Sequence, residues 1–467
     1  MTKSTVGELV VETTSGMACG FMDRGVPNWR GIPYGSIPER FSPPVPLRSA
    51  RRVDARTWGP VCWQVPVGPR KKWAPIYPDA VESEDCLNLN VWSRRPGRPD
   101  PQPVLVWLHP GRHMLGGNSP SVDPWVLAAY HDVVVVTPHY RLGPWGWLYL
   151  GELAPSDYAH SSNLPVRDHL LALEWVRDNI AAFGGDPGNV TLFGLSTGAS
   201  DVATLLGVPA AQGLFHKAAI YSGNADNVIT LSDASEFANR FLTAAGSLAD
   251  SAPDLARLDN VALRYIHGKM LRSGPVPYQP CVDGDVIPDS PLLAMGKGLT
   301  TGVPVLVSVT SDEAGMYEAV SSPKDVAEKY AEVLGDDGST HEQKLEALTR
   351  KLYVEPAERL MSAVAGGGGT CWAQVFDYHP TLSVLARDPR LAHRAVHAVD
   401  KAALFHDLDG PLGTDADRRA AVEDQLGLIN LARHGHPGWA TYTAREPTAK
   451  WINPDLRDGH TIRAFRR

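Results

Sequence analysis

A serine flanked by glycines is the residue pattern in this chain with the clearest chemical potential. The pentapeptide Gly-Leu-Ser-Thr-Gly at 194–198 follows an apolar run at 190–193 and precedes a stretch at 199–206 that can be helical. The glycines allow a sharp strand-to-helix turn that lifts the hydroxyl of Ser196 into a pocket. The amino end of the following helix offers N–H groups and a positive dipole end to a developing oxyanion. The pattern predicts a nucleophilic serine, with a purely structural turn as the alternative.

A nucleophilic serine needs a general base, and the base needs an acid that orients it. Asp312 and Glu313 come just after the apolar run at 305–309, and the carboxyl end of a strand is where such an acid belongs. Two adjacent carboxylates are also typical of a solvated loop. Spacing does not single out the base, because eight histidines follow Glu313: His341, His379, His393, His397, His406, His434, His436 and His460.

The elements that must position these side chains alternate between strands and helices. Between 168 and 183, apolar residues follow the spacing of one helix face. Continuous apolar runs, typical of strands buried on both faces, lie at 104–108, 133–137, 190–193, 218–221 and 305–309. The alternation predicts an α/β fold with a mostly parallel central sheet flanked by helices.

The domain organisation follows from the same pattern. We expect one domain over 1–467, with helical insertions over the site at about 228–295 and 322–364. The segment after about 440, with scattered aromatic and basic residues, is expected to pack as a last helix or to form a tail.

The composition narrows the function classes. Apolar residues make up 43%, and 44 Lys and Arg stand against 52 Asp and Glu, a net charge of −8. An acidic globular chain of this kind is not expected to bind nucleic acid or an anionic membrane. The five cysteines do not form a disulfide scaffold and have no metal-ligand spacing. Catalysis by a nucleophilic serine needs no metal and no cofactor, so we expect neither. Neither a membrane span nor a secretory signal is visible, and we expect a cytoplasmic protein.

Five motifs carry a resemblance to a known family. They are Gly-Ile-Pro-Tyr at 31–34, Glu-Asp-Cys-Leu-Asn-Leu-Asn at 84–90, Tyr-Arg-Leu-Gly at 140–143, Ala-Ala-Phe-Gly-Gly-Asp-Pro at 181–187 and Gly-Leu-Phe-His-Lys-Ala at 213–218. In this order they resemble the type-B carboxylesterases, the family that includes the cholinesterases. The resemblance covers about 7 to 450 and implies an α/β-hydrolase fold with helical insertions.

The resemblance also implies roles for individual residues. The family nucleophile falls on Ser196, its acid on Glu313 in an Asp-Glu-Ala triplet, and its base on His397. The His397 segment lacks the leading glycine of the family pattern, and another histidine remains the alternative. Cys62 and Cys86 match a family disulfide, although a thiol pair is expected in a reducing cytoplasm.

The loop expected to bind the oxyanion departs from the family pattern. His-Pro-Gly-Arg-His at 109–113 replaces His-Gly-Gly-Gly-Phe, and by alignment the donors are the backbone N–H groups of Gly111, Arg112 and Thr197. A positive φ at Arg112 would be strained, because the residue carries a Cβ. The guanidinium of Arg112 is expected either to enter the pocket or to point to solvent.

Further departures surround the nucleophile. Leu195 replaces the family Glu, and Ser222 matches the serine that interacts with that Glu, so we expect Ser222 to lack its partner. Thr197 replaces a smaller Ala beside the nucleophile. The candidate substrate-binding residues are His109, His113, Leu195 and Ser222.

The expected function is that of a serine hydrolase. It would cleave a small-molecule carboxylic ester through a Ser-His-Glu triad and an acyl-enzyme intermediate. Two alternatives stay open: an acyltransferase, cyclase or lyase of a small-molecule biosynthetic pathway, and a non-catalytic binding protein on the same fold. The sequence indicates no oligomeric state.

Overall fold

The computed structural model describes residues 9–64, 80–117, 122–274, 276–455 and 461–463. His460, one of the candidate bases, lies outside the described residues. So do the first eight residues, which were part of the search for a secretory signal. The strands are β1 Leu9–Thr13, β2 Gly16–Asp23, β3 Val26–Pro33, β4 Gly35–Ser36, β5 Val45–Pro46, β6 Arg52–Asp54, β7 Asn88–Trp92, β8 Gln102–Leu108, β9 Val134–Pro138, β10 Gly185–Leu195, β11 Lys217–Tyr221, β12 Ile229–Thr230, β13 Cys281–Val282, β14 Val305–Thr310, β15 Cys371–Phe376, β16 Thr448–Ile452 and β17 Thr461–Arg463.

Helices connect and cover these strands. The α-helices are α1 Trp125–His131, α2 Pro144–Trp147, α3 Pro155–Tyr158, α4 Leu164–Asn179, α5 Thr197–Leu206, α6 Leu231–Ala245, α7 Ala252–Arg257, α8 Asn260–Ser273, α9 Pro291–Gly296, α10 Tyr317–Val320, α11 Pro323–Leu334, α12 His341–Thr349, α13 Glu355–Gly366, α14 Lys401–Leu404 and α15 Asp415–His434. Helices α6 to α9 and α11 to α13 lie in the two stretches expected to hold helical insertions.

One large twisted sheet organises the described part of the chain. Its order is β1-β2-β3-β7-β9-β8-β10-β11-β14-β15-β16-β17, and β6 pairs with β2 at one edge. Seven neighbouring strands in the middle of the sheet run parallel: β9, β8, β10, β11, β14, β15 and β16. Antiparallel pairing occurs at the two sides, among β1, β2, β3, β7 and β9 on one side and between β16 and β17 on the other. The predicted α/β architecture with a mostly parallel central sheet is confirmed.

Burial on both faces explains the continuous apolar runs. In β8, Val104, Val106 and Leu108 pack into one core cluster. Leu105 and Trp107 point to the other face and pack into a second cluster. Successive strand residues point to opposite faces, so a strand covered on both sides needs apolar residues at every position.

The expectation for the C-terminal segment was wrong. Residues 448–452 form β16, which pairs in parallel with β15 and extends the sheet. Ala449, Trp451 and Ile452 are buried whereas Thr448 and Lys450 are partly exposed, a mixed pattern that suits a strand near a sheet edge. Among the described residues, no helix is long and apolar enough to cross a membrane.

A buried ion pair ties the loop after β9 to α4. Asp168 and Arg141 are both almost fully buried, and the Nη2 of Arg141 donates to Oδ1 of Asp168 at 2.6 Å while its Nε donates to Oδ2 at 2.9 Å. The backbone N–H of Arg141 donates to the same carboxylate at 3.1 Å, and its Nη1 donates to the carbonyl of Ser42 at 2.7 Å. The pair therefore fixes the strand end to the first turns of the helix.

Replacing one partner of this pair should destabilise the protein strongly. We expect Asp168→Asn to lower the free energy of unfolding by about 3–5 kcal/mol, because it leaves a buried guanidinium without its counter-charge. Asp285→Asn is the matched control, since Asp285 pairs with Arg167 at 2.6 Å but is largely exposed, and it should cost less than about 1 kcal/mol. Urea unfolding measures both. Equal losses in the two variants would contradict the assigned importance of the buried pair.

Candidate active site

The serine lies on a tight turn between β10 and α5. Ser196 has φ 56° and ψ −126°, a conformation that is uncommon for a residue with a side chain. A Cβ at Gly194 would lie 2.6 Å from the carbonyl atoms of Gly198, and one at Gly198 would lie 2.2 Å from the carbonyl oxygen of Leu108. The backbones approach so closely that only glycine fits at both positions. The turn leaves the serine hydroxyl at the carboxyl end of the sheet.

The structure brings together three side chains that the sequence singled out. The Nε2 atom of His397 lies 2.9 Å from Oγ of Ser196, and its Nδ1 atom lies 2.6 Å from Oε2 of Glu313. Glu313 follows β14, and its other oxygen accepts the N–H of Thr310 at 2.9 Å. The backbone N–H of His397 donates to the carbonyl of Glu313 at 3.2 Å, which holds the two loops together.

Burial and charge oppose each other at His397. Burial alone lowers the pKa of this imidazole, but the adjacent Glu313 carboxylate raises it, and the net direction is upward. The ring of Tyr353 packs on the imidazole with centroids 5.1 Å apart. Tyr353 was not predicted from the sequence, because a single tyrosine in a helical stretch has no spacing that points to a site.

The other candidate bases do not join this arrangement. Within the described residues, no hydrogen bond connects Ser196 to His341, His379, His393, His406, His434 or His436. His341 instead pairs with Glu318, and the Nδ1 atom of His379 bonds the carbonyl of Arg394 at 2.6 Å. Among the described histidines after Glu313, the geometry therefore favours His397 as the candidate base.

The loop at 109–113 turns its backbone N–H groups toward α5. The N–H groups of Gly111 and Arg112 donate to Oγ1 of Thr197 at 3.0 and 2.9 Å. Arg112 and His113 both have φ 56°, so the strained conformation that the sequence left open for Arg112 is present. The Arg112 residue is exposed.

Three candidate substrate-binding residues are committed to the interior. Leu195 is fully buried in an apolar cluster. His109 is buried, and its ring stacks on Tyr140 with centroids 4.2 Å apart. His113 is buried too, with Nε2 2.9 Å from Oδ1 of Asp201 and Nδ1 2.7 Å from the carbonyl of Tyr278. The expectation that these three residues contact substrate stays a prediction, and the Nε2 atom of His109 has no hydrogen-bond partner among the described residues.

Asp201 forms a buried charge centre behind the oxyanion loop that the sequence did not reveal. Its second oxygen lies 3.3 Å from Nε2 of His169, so one carboxylate joins two histidines. Burial raises the pKa of Asp201, but His113 and His169 more than offset this and hold it below its usual range. Burial lowers the pKa of His109 to about 4, so this neighbour is neutral near pH 7.

Ser222 has a partner, contrary to expectation. Its hydroxyl donates to Oε1 of Glu313 at 2.6 Å. The residue follows β11, which pairs with β14 through Tyr221 and Ser308, so this register brings Ser222 beside the acid that follows β14. Ser222 is also the fourth candidate substrate-binding residue, and that role stays a prediction for this buried side chain.

The cysteines are all buried free thiols, including Cys62 and Cys86. A hydrogen bond with Cys62, together with burial, raises the pKa of Cys86 well above its ordinary value. The Sγ atom of Cys62 accepts the N–H of Leu142 at 3.2 Å. Among the described residues, no group of three or more His, Cys, Asp or Glu side chains is arranged to hold a metal ion.

Solved structures place the chain in a class. The carboxylesterase EST55 of Geobacillus stearothermophilus superposes with a TM-score of 0.81 and 32% identity, covering 95% of this chain and 96% of that one. A structure of PNB esterase gives a TM-score of 0.82 at 31% identity, with the same coverage. The class is therefore that of carboxylic ester hydrolases with the α/β-hydrolase fold.

Sequence comparison narrows the class to a family. The carboxylesterase family profile matches residues 7–340. The para-nitrobenzyl esterase of Bacillus subtilis (strain 168) is 33% identical over 476 aligned positions, covering 95% of this chain and 91% of that protein. Carboxylesterase 4A of Bos taurus is 36% identical over 61% of the chain. The chain belongs to the carboxylesterase family, which confirms the resemblance seen in its motifs.

Removing the Ser222 hydroxyl should destabilise the protein more than removing a comparable neutral hydrogen bond. We expect Ser222→Ala to cost about 1.5–3 kcal/mol, because the acceptor is a buried carboxylate. Ser93→Ala is the matched control: Ser93 is also buried and donates at 2.6 Å, but to the neutral carbonyl of Phe183, and it should cost about 0.5–1.5 kcal/mol. Urea unfolding of both variants measures the difference. A loss no greater than that of the control would show that Glu313 does not depend on Ser222.

Proposed function

We propose that this carboxylic ester hydrolase works through an acyl-enzyme on Ser196. The serine Oγ attacks the ester carbonyl carbon, and its proton passes to Nε2 of His397. The tetrahedral intermediate collapses, the alkoxide leaves with that proton, and the acyl group stays on Ser196. Water then attacks with His397 as base, and the acid product leaves.

The hydrogen-bonded chain from Ser196 through His397 to Glu313 is the observation that carries this proposal. The distances of 2.9 and 2.6 Å fall within the range for proton transfer and for orientation of the ring. The Glu313 carboxyl is fully buried and hydrogen-bonded to the imidazole, so it is placed to stabilise the imidazolium that forms.

The oxyanion is assigned to three backbone N–H groups. Those of Gly111 and Arg112 already point at a common oxygen atom, which supports their role. The N–H of Thr197 lies at the amino end of α5, where the helix dipole favours negative charge.

A small-molecule ester is the substrate class that the family implies. Because a relative is named a para-nitrobenzyl esterase, we propose simple nitrobenzyl and nitrophenyl esters as first test substrates. We also propose a cytoplasmic location, and the five cysteines carried as thiols support a reducing compartment.

Covalent labelling tests the nucleophile without knowledge of the natural substrate. We expect a small fluorophosphonate to form one P–O bond to Ser196 Oγ with release of fluoride, detected by intact-protein and peptide mass spectrometry. The adduct should be absent in Ser196→Ala and reduced by roughly 10³-fold or more in rate in His397→Ala. Unchanged esterase activity in Ser196→Ala would refute the mechanism.

The pH dependence tests the base and its acid. His397 must be neutral to accept the proton, so kcat/KM should rise with pH to a plateau, with a midpoint above the ordinary histidine value of about 6.5. Glu313→Gln removes the charge that raises this pKa while burial still lowers it. The midpoint should therefore move to lower pH, and the plateau should fall by on the order of 10⁴-fold. A midpoint that stays in place would exclude Glu313 as the partner of the base.

A further inference from the structure

The Thr197 hydroxyl accepts hydrogen bonds from two backbone N–H groups that the proposed reaction needs as donors to the substrate oxyanion. Oγ1 accepts the N–H groups of Gly111 and Arg112 at 3.0 and 2.9 Å. Donors that stabilise an oxyanion lie about 2.7–3.1 Å from the position of that oxygen. With respect to these two donors, the hydroxyl oxygen therefore sits where the carbonyl oxygen of an ester would bind.

The donors themselves are held in place. A Cβ at Gly111, which has φ 148°, would lie 1.6 Å from the carbonyl oxygen of Leu115. The N–H groups of Met114 and Leu115 both donate to the carbonyl of Gly111 at 3.0 Å, which closes the loop into a tight turn. The loop backbone has little room to move, so the hydroxyl is the part that can leave.

The position of Thr197 on α5 explains why its side chain reaches the loop. It is the first residue of the helix, directly after Ser196, and its Oγ1 atom accepts hydrogen bonds from two backbone N–H groups of the loop. Threonine is branched at Cβ and has few χ1 rotamers, so the hydroxyl can be either in the oxyanion position or away from it.

We propose that the Thr197 hydroxyl occupies the oxyanion site in the free enzyme and that every ester must displace it by rotation about χ1. This inference rests on the proposed function, because it assumes acyl transfer to Ser196. It makes Thr197 a gating residue: only enzyme molecules in which this hydroxyl has rotated away can bind the carbonyl oxygen of the ester.

A gate of this kind has a characteristic kinetic effect. The displacement step is the same for every substrate, so it reduces the apparent affinity by the fraction of enzyme with an open site. Removing the hydroxyl should therefore raise kcat/KM by one constant factor across an ester series. A change in pocket volume would instead give a factor that grows or shrinks with the acyl chain.

The test compares Thr197→Ala, Thr197→Ser and wild type in two measurements. The first is the second-order rate of fluorophosphonate labelling at Ser196, since the phosphoryl oxygen must enter the same site. The second is kcat/KM for p-nitrophenyl acetate, butyrate and hexanoate. We expect Thr197→Ala to raise both by about 10- to 100-fold, by the same factor for all three esters, because two hydrogen bonds no longer have to be displaced.

Thr197→Ser separates the hydroxyl from the methyl group. It keeps an oxygen that can make both hydrogen bonds, so its rates should stay within a few-fold of wild type. Thr204→Ala is the matched control, because it makes the same deletion at a buried position on the same helix, away from the oxyanion loop. Its labelling rate should equal that of wild type, and thermal melting reports whether each variant is folded.

Each other outcome overturns the proposal in a distinct way. Equal, measurable rates for wild type and Thr197→Ala would remove the gate and leave Ser196 as nucleophile. A slower Thr197→Ala would make the hydroxyl a donor to the oxyanion instead. A Thr197→Ser variant as fast as Thr197→Ala would assign the block to the methyl group. No labelling in any variant would overturn both the gate and the proposed function.

Discussion

The close approach of three strand ends around Ser196 is the constraint on which the rest of the site depends. Gly194 and Gly198 leave no room for a Cβ, and one at Gly223, after β11, would lie 2.5 Å from Cβ of Ala199. Helix α5 can therefore start immediately at the end of β10 and pack against β8 and β11. This packing stabilises the strained backbone conformation of Ser196 and so fixes the position of its side chain.

Glu313 and His397 come close to that hydroxyl because parallel strands end at the same edge of the sheet. Glu313 follows β14, and His397 lies in the connection after β15, the next strand over. Hydrogen bonds from Thr310 and Ser222 hold one oxygen of Glu313, which leaves the other free for the imidazole. The strand order brings Ser196, Glu313 and His397 to one edge of the sheet, and hydrogen bonds between the loops set the distances between their side chains.

Local sequence patterns predicted the individual strands more successfully than they predicted the contacts between residues of different strands and loops. Apolar runs indicated β8, β9, β10, β11 and β14, because burial on both faces leaves a signature in the sequence. β16 was missed because Thr448 and Lys450 interrupt its apolar residues, and it borders the edge strand β17. The contact of Ser222 with Glu313 depends on the register of β11 against β14. The contact of Thr197 with the loop depends on a side-chain rotamer, and neither register nor rotamer can be read from residue types.

The departures from the family pattern change the carboxyl groups around His397. Leu195 is packed in an apolar cluster where the family carries a Glu, and Ser222 donates to Glu313 instead. A second carboxyl, Asp400, is fully buried nearby, and burial together with the Glu313 charge raises its pKa to about 7. Its Oδ2 atom has no hydrogen-bond partner among the described residues, whereas both oxygens of Glu313 accept hydrogen bonds.

This difference in hydrogen bonding separates the two carboxyls. Hydrogen-bond donors favour the charged form of a carboxyl that receives them, and burial disfavours it. Burial and the Glu313 carboxylate raise the pKa of Asp400 to about 7, so this carboxyl binds a proton more readily than an ordinary aspartate. The imidazole of His397 then faces one carboxylate, hydrogen-bonded at Nδ1, and its Nε2 atom is left to interact with Ser196.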